Sequence, residues 1–134
     1  MSKRQYLLDT SAILTLLEDE EGAQRVETLL RREEVLFPFL VLLETYYITL
    51  QEQTEDVADQ RYALLKQLPK AILWNVDEPT LLTAGQLKAA HRLSLADALI
   101  AAFAVQHQAV LVHKDPEMAA LKDAVEMEIL PYQK

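Results

Sequence analysis

Apolar positions along the chain switch repeatedly between two spacings. Short unbroken apolar runs at residues 6–9 (YLLD), 35–37 (VLF), 71–76 (AILWNV) and 109–113 (AVLVH) predict buried strands, and residues 127–130 (MEIL) a fifth at the sheet edge. Between them the spacing becomes helical. Residues 10–21 carry Ala12, Leu16 and the Ile13/Leu17 pair on a helix, and residues 23–34 place Val26, Leu29 and Leu30 on one face with charges opposite. A long helix is expected over residues 40–53. Another over residues 55–69 is opened by Thr54 and ended near Pro69, with Val57, Tyr62, Leu64, Leu65 and Leu68 as its apolar stripe. Asp77 and Pro79 mark a helix start at residues 77–92. Residues 94–108 form an Ala-rich, largely buried helix, and residues 114–124 a short one. Strands alternating with helices imply an α/β fold whose parallel-type sheet is covered on both faces. No repeat, low-complexity tract or linker interrupts the chain, so residues 1–134 are read as a single domain.

Composition narrows the chemistry. There is no Cys, which removes disulfides, thiolate nucleophiles and Cys-ligated metal sites. Only Gly22 and Gly85 are present, so neither G-x-x-x-x-G-K nor G-x-G-x-x-G can be written. The first carboxylate comes after only a few apolar residues, and the run from Leu36 to Leu43 is broken by Pro38, so neither a signal peptide nor a membrane span is expected. A cytoplasmic protein follows from that reading. The net charge of −8 argues against gripping nucleic acid by bulk electrostatics. A metal-dependent nuclease stays open, because bound cations reverse the sign of an acidic site.

Ligands of open α/β sheets bind outside the carboxyl ends of the strands, so acids there are counted first. Asp9 ends the first strand and Asp115 follows the fourth. Each also fits a helix N-cap, Asp115 because Pro116 follows it. Asp97 completes a capping box with Ser94, yet its helical neighbours Leu93, Ile100 and Ala101 are apolar. Glu44 has Leu40, Val41, Tyr47 and Ile48 at helical spacing. An unpaired carboxylate amid such a patch is costly, so a cleft or a cation is expected beside it. Hard oxygen ligands of this kind suit Mg²⁺ or Mn²⁺.

The segments LLDTSAI, FLVLLETYY, SLADALIAA and VLVHKDPEM, in that order, resemble the PIN-domain ribonucleases, particularly the VapC-type toxins of bacterial toxin–antitoxin pairs. The resemblance spans nearly the whole chain. It implies a PIN-like three-layer α/β/α sandwich with a central, mainly parallel sheet of four to five strands. It makes Asp9, Glu44, Asp97 and Asp115 an acidic catalytic quartet holding one or two Mg²⁺ or Mn²⁺ ions, with Thr10 or Ser11 supporting the first acid. The implied reaction is metal-assisted hydrolysis of an RNA phosphodiester, leaving a 5′-phosphate and a 3′-hydroxyl. The implied partners are an RNA substrate, a small antitoxin and a second copy of the chain. The family pattern is broken at His113, where Thr, Ser or Asn is usual, and at Met118, where Phe is common. Glu117 and His113 are accessory candidates, His113 beside Lys114 as a contact to an RNA phosphate.

Other features carry less. His91, His107 and His113 lack H-E-x-x-H spacing, and His107 is expected at a helix C-terminus. Trp74, Tyr46 and Tyr47 read as core or interface rather than base-stacking residues. A phosphoryl-accepting receiver would want a further acid beside Asp9, where Thr10, Ser11 and Ala12 stand. A catalytically idle PIN-fold interaction domain is the alternative to the nuclease.

Overall fold

A computed structural model describes residues 4–131. Five strands, β1 (Gln5–Leu8), β2 (Glu34–Pro38), β3 (Ala71–Leu73), β4 (Val110–His113) and β5 (Met127–Ile129), pair in the order β3-β2-β1-β4-β5. Every pairing is parallel, with Tyr6 opposite both Val35 and Val110. Six helices flank the sheet: α1 (Thr10–Leu17), α2 (Ala23–Arg32), α3 (Phe39–Glu52), α4 (Glu55–Gln67), α5 (Glu78–Ala90) and α6 (Leu95–Gln106). This is the α/β architecture with a five-stranded parallel sheet that the alternation of periods implies.

The central strands are apolar over Tyr6–Leu8 and Val110–Val112 because helices cover both faces. Leu7, Leu8, Leu111 and Val112 have no exposed surface, and Phe37 and Ile13 join them in the core. Helix starts follow their sequence signals. Asp9 accepts from the Ala12 amide, Thr54 from Val57, Asp77 from Thr80 and Ser94 from Asp97. Gly22 opens α2 with φ at 102°, a left-handed conformation that favours glycine. The edge strand β5 is tied to α2 by the two-pronged ion pair of Arg25 with Glu128, at 2.8 and 2.9 Å.

Three expectations are corrected. The strand expected over residues 71–76 stops at Leu73, where the chain leaves the sheet and Trp74 is 51% exposed. Tyr62 and Leu64, assigned to the buried stripe of α4, are exposed, and α4 packs through Ala58 and Leu65 instead. Residues 114–124 form only a 3₁₀ turn over Met118–Leu121, closed by bonds three residues apart from Met118 to the Asp115 carbonyl and from Ala120 to the Glu117 carbonyl. Asp115 accepts from the Glu117 amide at 2.9 Å, as a helix-capping carboxylate does, but no α-helix follows it. Among the described residues, no helix is long and apolar enough to cross a membrane.

Order β3-β2-β1-β4-β5 has a consequence for function. The chain winds from β1 toward β2 and β3 on one side, then crosses to β4 and β5 on the other, so a crevice opens between the carboxyl ends of β1 and β4. Asp9 and Asp115 leave the sheet at that crevice.

Phe37 is fully buried at the centre of this packing. Phe37→Ala is expected to lower stability by about 3–5 kcal/mol, measured by urea unfolding followed by circular dichroism.

Candidate metal centre and active site

The site starts with Asp9, which follows β1 and is 3% exposed. Its amide donates to the Val112 carbonyl at 3.1 Å, locking the end of β1 to β4. Its Oδ1 accepts from the Ala12 amide at 2.9 Å and from the Ser11 hydroxyl at 2.6 Å. Burial nevertheless dominates and pushes the carboxyl up to about 7, against those two hydrogen bonds and with help from the charges of Asp97 and Asp115.

Asp97 lies in the first turn of α6 and is half-buried. Desolvation, and then the charge of Asp115, raise its carboxyl to about 6; the hydrogen bond with Ser94 opposes the shift, while Glu44 and Glu117 add to it. Carboxylate oxygens of Asp97, Asp115 and Glu117 lie within 4.8 Å of one another. Glu44 projects from α3, and its Oε1 accepts from the Thr10 hydroxyl at 2.7 Å. Thus β1, α3, α6 and the segment after β4 deliver all four predicted acids, and Glu117 with them, to one end of the sheet.

The two hydroxyls expected beside the first acid divide their work. Ser11 serves Asp9, whereas Thr10 serves Glu44. Ser11 also accepts from the Lys114 amide at 2.8 Å, so one hydroxyl bridges Asp9 to the segment that carries Asp115. The Lys114 ammonium turns away from the acids, donating to the Glu21 carbonyl at 2.7 Å and lying 3.5 Å from Glu20. Among the described residues, none of the five acids forms an ion pair.

His113 corrects an expectation. It has no exposed surface and cannot reach an RNA phosphate. Its Nδ1 accepts from the Asp115 amide at 3.1 Å, and its Nε2 lies 3.1 Å from Met127 Sδ, which leaves neither nitrogen free as a ligand. Burial holds its pKa below the ordinary histidine value, against the influence of Asp115. Sequence reasoning missed this inward role, and the only available signal was the apolar run VLV before it. His107 caps the end of α6, as expected.

The family model for the PIN domain matches residues 6–124. The chain belongs to the PIN domain family. Among curated proteins, none matches. Solved structures do, over almost their full length. VapBC2 from Rickettsia felis, bound to a promoter DNA fragment, aligns with a TM-score of 0.77 at 16% identity, covering 95% of this chain and 99% of its own. VapBC-1 from nontypeable Haemophilus influenzae gives 0.74 at 21%, covering 93% and 97%. VapC20 of Mycobacterium tuberculosis, described as a sarcin–ricin loop cleaving toxin, gives 0.71 at 16%, covering 94% and 99%. At these identities the likeness is one of fold.

The raised carboxyls of Asp9 and Asp97 dictate how the metal-free PIN domain responds to pH. From about pH 4 to pH 7 these two groups keep protons in the folded chain that they release in the unfolded one, so their contribution to stability falls as pH rises through that window, while the lowered pKa of His113 acts in the opposite direction. Melting temperature in EDTA is expected to drop by several degrees between pH 5 and pH 8. Asp9→Asn should flatten that slope, and Mn²⁺ should raise the melting temperature more at pH 8 than at pH 5; an unchanged slope in the variant would refute the assignment to Asp9.

Proposed function

We propose that this PIN domain is a divalent-metal-dependent endoribonuclease and acts as the VapC-type toxin of a type II toxin–antitoxin pair in the cytoplasm. The observation that carries the reading is the convergence of five carboxylates, one of them buried, with no cationic side chain among the described residues paired to any of them. Such a cluster is strongly unfavourable by itself, and the donor set fits hard cations. Asp97, Asp115 and Glu117 have oxygens close enough together to share an ion, and Asp9 and Glu44 complete the set. One or two Mg²⁺ or Mn²⁺ ions are proposed there.

When bound, such a cation lowers the pKa of water and offsets negative charge on a phosphodiester. The chain's own residues supply position. Ser11 and the Ala12 amide fix one oxygen of Asp9, Thr10 aims Glu44, and the Glu117 amide fixes one oxygen of Asp115. Among the described residues no Ser–His pair is built beside the cluster, so water is the proposed nucleophile, with products carrying a 5′-phosphate and a 3′-hydroxyl. The toxin reading is supported by the neighbours' names, which describe VapBC2, VapBC-1 and a sarcin–ricin loop cleaving toxin, VapC20.

Proposed protein partners are a small antitoxin and a second copy of the chain. Apolar surface supports them: Leu81, Leu82 and Leu95 on α5 and α6 are 57%, 56% and 65% exposed.

The test is incubation with total RNA under Mg²⁺, Mn²⁺ or EDTA, beside Asp9→Asn and Asp97→Asn, with mapping of new 5′ ends. Metal-dependent cuts bearing 5′-phosphates are expected, reduced roughly a hundredfold or more in both variants. A folded, antitoxin-free wild type without cleavage, or equal cleavage by the variants, would overturn the nuclease in favour of an interaction domain.

A further inference from the structure

The segment that carries two of the five acids has almost no regular structure, so its backbone amides must be satisfied some other way. They are, one by one. The Lys114 amide donates to Ser11 Oγ at 2.8 Å, the Asp115 amide to His113 Nδ1 at 3.1 Å, and the Glu117 amide to Asp115 Oδ1 at 2.9 Å. Position 116 is proline and has no amide to place. Met118 then donates to the Asp115 carbonyl at 3.1 Å. Side chains, not a ladder, hold residues 114–117.

His113 is the inner anchor of this set. It ends β4, is fully buried, and its own carbonyl accepts from Leu130 at 2.8 Å. Because a backbone amide can only donate, Nδ1 must be the unprotonated nitrogen and the proton sits on Nε2. That nitrogen faces Met127 Sδ at 3.1 Å on the neighbouring strand, where sulfur is a weak acceptor. The ring is therefore held at both ends, and only its Nδ1 edge is turned toward the acids.

We infer that His113 is a positioning residue for Asp115: its Nδ1 grips the Asp115 amide and so keeps that carboxylate beside Asp97 and Glu117. The consequence for cation binding rests on the metal-site reading above, whereas the grip itself does not. Loss of the acceptor leaves a buried-side amide without a partner and frees the segment to move both acids away from Asp97. Groups that orient metal ligands in this way change affinity by about 10–100-fold when replaced.

Two polar replacements separate this role from mere packing. In His113→Asn the amide oxygen falls near the position of Nδ1; in His113→Gln the amide falls near that of Nε2. Amide hydrogen exchange at Asp115, followed by NMR in EDTA, and Mn²⁺ affinity, followed by calorimetry, are read on both variants and on wild type. Expected are a protected Asp115 amide and Mn²⁺ binding within about threefold of wild type for Asn, against lost protection and binding weakened roughly 10–100-fold for Gln. A freely exchanging Asp115 amide in wild type would overturn the inference, as would a Gln variant matching wild type in both readouts. If wild type bound no Mn²⁺, the metal reading would fall, and the Asp115 amide would still decide the grip.

Discussion

Burying the Asp9 carboxylate at the end of the central strand costs free energy that its two hydrogen bonds return only in part, which is why its proton is held up to about pH 7. Much of the surrounding construction answers to that cost. The same oxygen that starts α1 by accepting from Ala12 is fixed by Ser11, and Ser11 in turn receives the Lys114 amide from across the crevice. One buried acid thus ties β1, α1 and the segment after β4 into a single hydrogen-bonded unit. Moving any of them moves Asp9.

The sheet order explains why the acids meet there. With β1 central and β4 beside it, β1 runs into α1 while the chain after β4 runs into the irregular segment of residues 114–117, so both segments begin at the same end of the sheet. Asp97 enters from the start of α6, where its backbone amide donates to Ser94 Oγ, and Glu44 from the middle of α3, where its carboxylate accepts from the Thr10 hydroxyl at the start of α1. Helix starts are well suited to this. They expose backbone amides, they take acidic side chains favourably, and their position relative to the preceding chain is set by the cap.

Periodicity made the fold legible, because a strand buried on both faces and an amphipathic helix write different patterns. The quartet was legible for a different reason: its acids stand at strand ends or amid apolar neighbours, and their order resembles a known family. Cap signals alone did not separate structure from chemistry, since Asp9 and Asp97 serve at helix starts and in the acidic cluster together. Other details depend on directions that spacing does not encode. Thr10 and Ser11 are successive residues on one helical turn, about 100° apart, so one meets Glu44 and the other Asp9. The end of β4 was harder still. A polar residue after an apolar run reads as the first exposed position, yet β5 pairs alongside and seals His113 inside. The 3₁₀ turn beyond it closes through backbone bonds three residues apart, from Met118 to Asp115 and from Ala120 to Glu117, a choice over the α pattern that residue types alone leave undetermined.

Charge gives the last step. The chain carries −8 overall, and the three cations that form ion pairs among the described residues do so away from the acids: Arg25 with Glu128, Arg4 with Glu126, and Lys114 with Glu20 before α2. An approaching phosphodiester therefore meets a negative field wherever the five acids are ionised and bare. Two agents relieve that field, and both act on the same oxygens. Protons do so at low pH, as the raised carboxyls of Asp9 and Asp97 show. On the proposed nuclease reading, divalent cations do so at neutral pH, and they also reverse the sign that RNA would encounter. Protons and cations must then compete, because ligation requires the ionised form. In this reading an acidic protein is no obstacle to binding nucleic acid. The acidity makes attraction to RNA conditional on the ions that also serve the reaction.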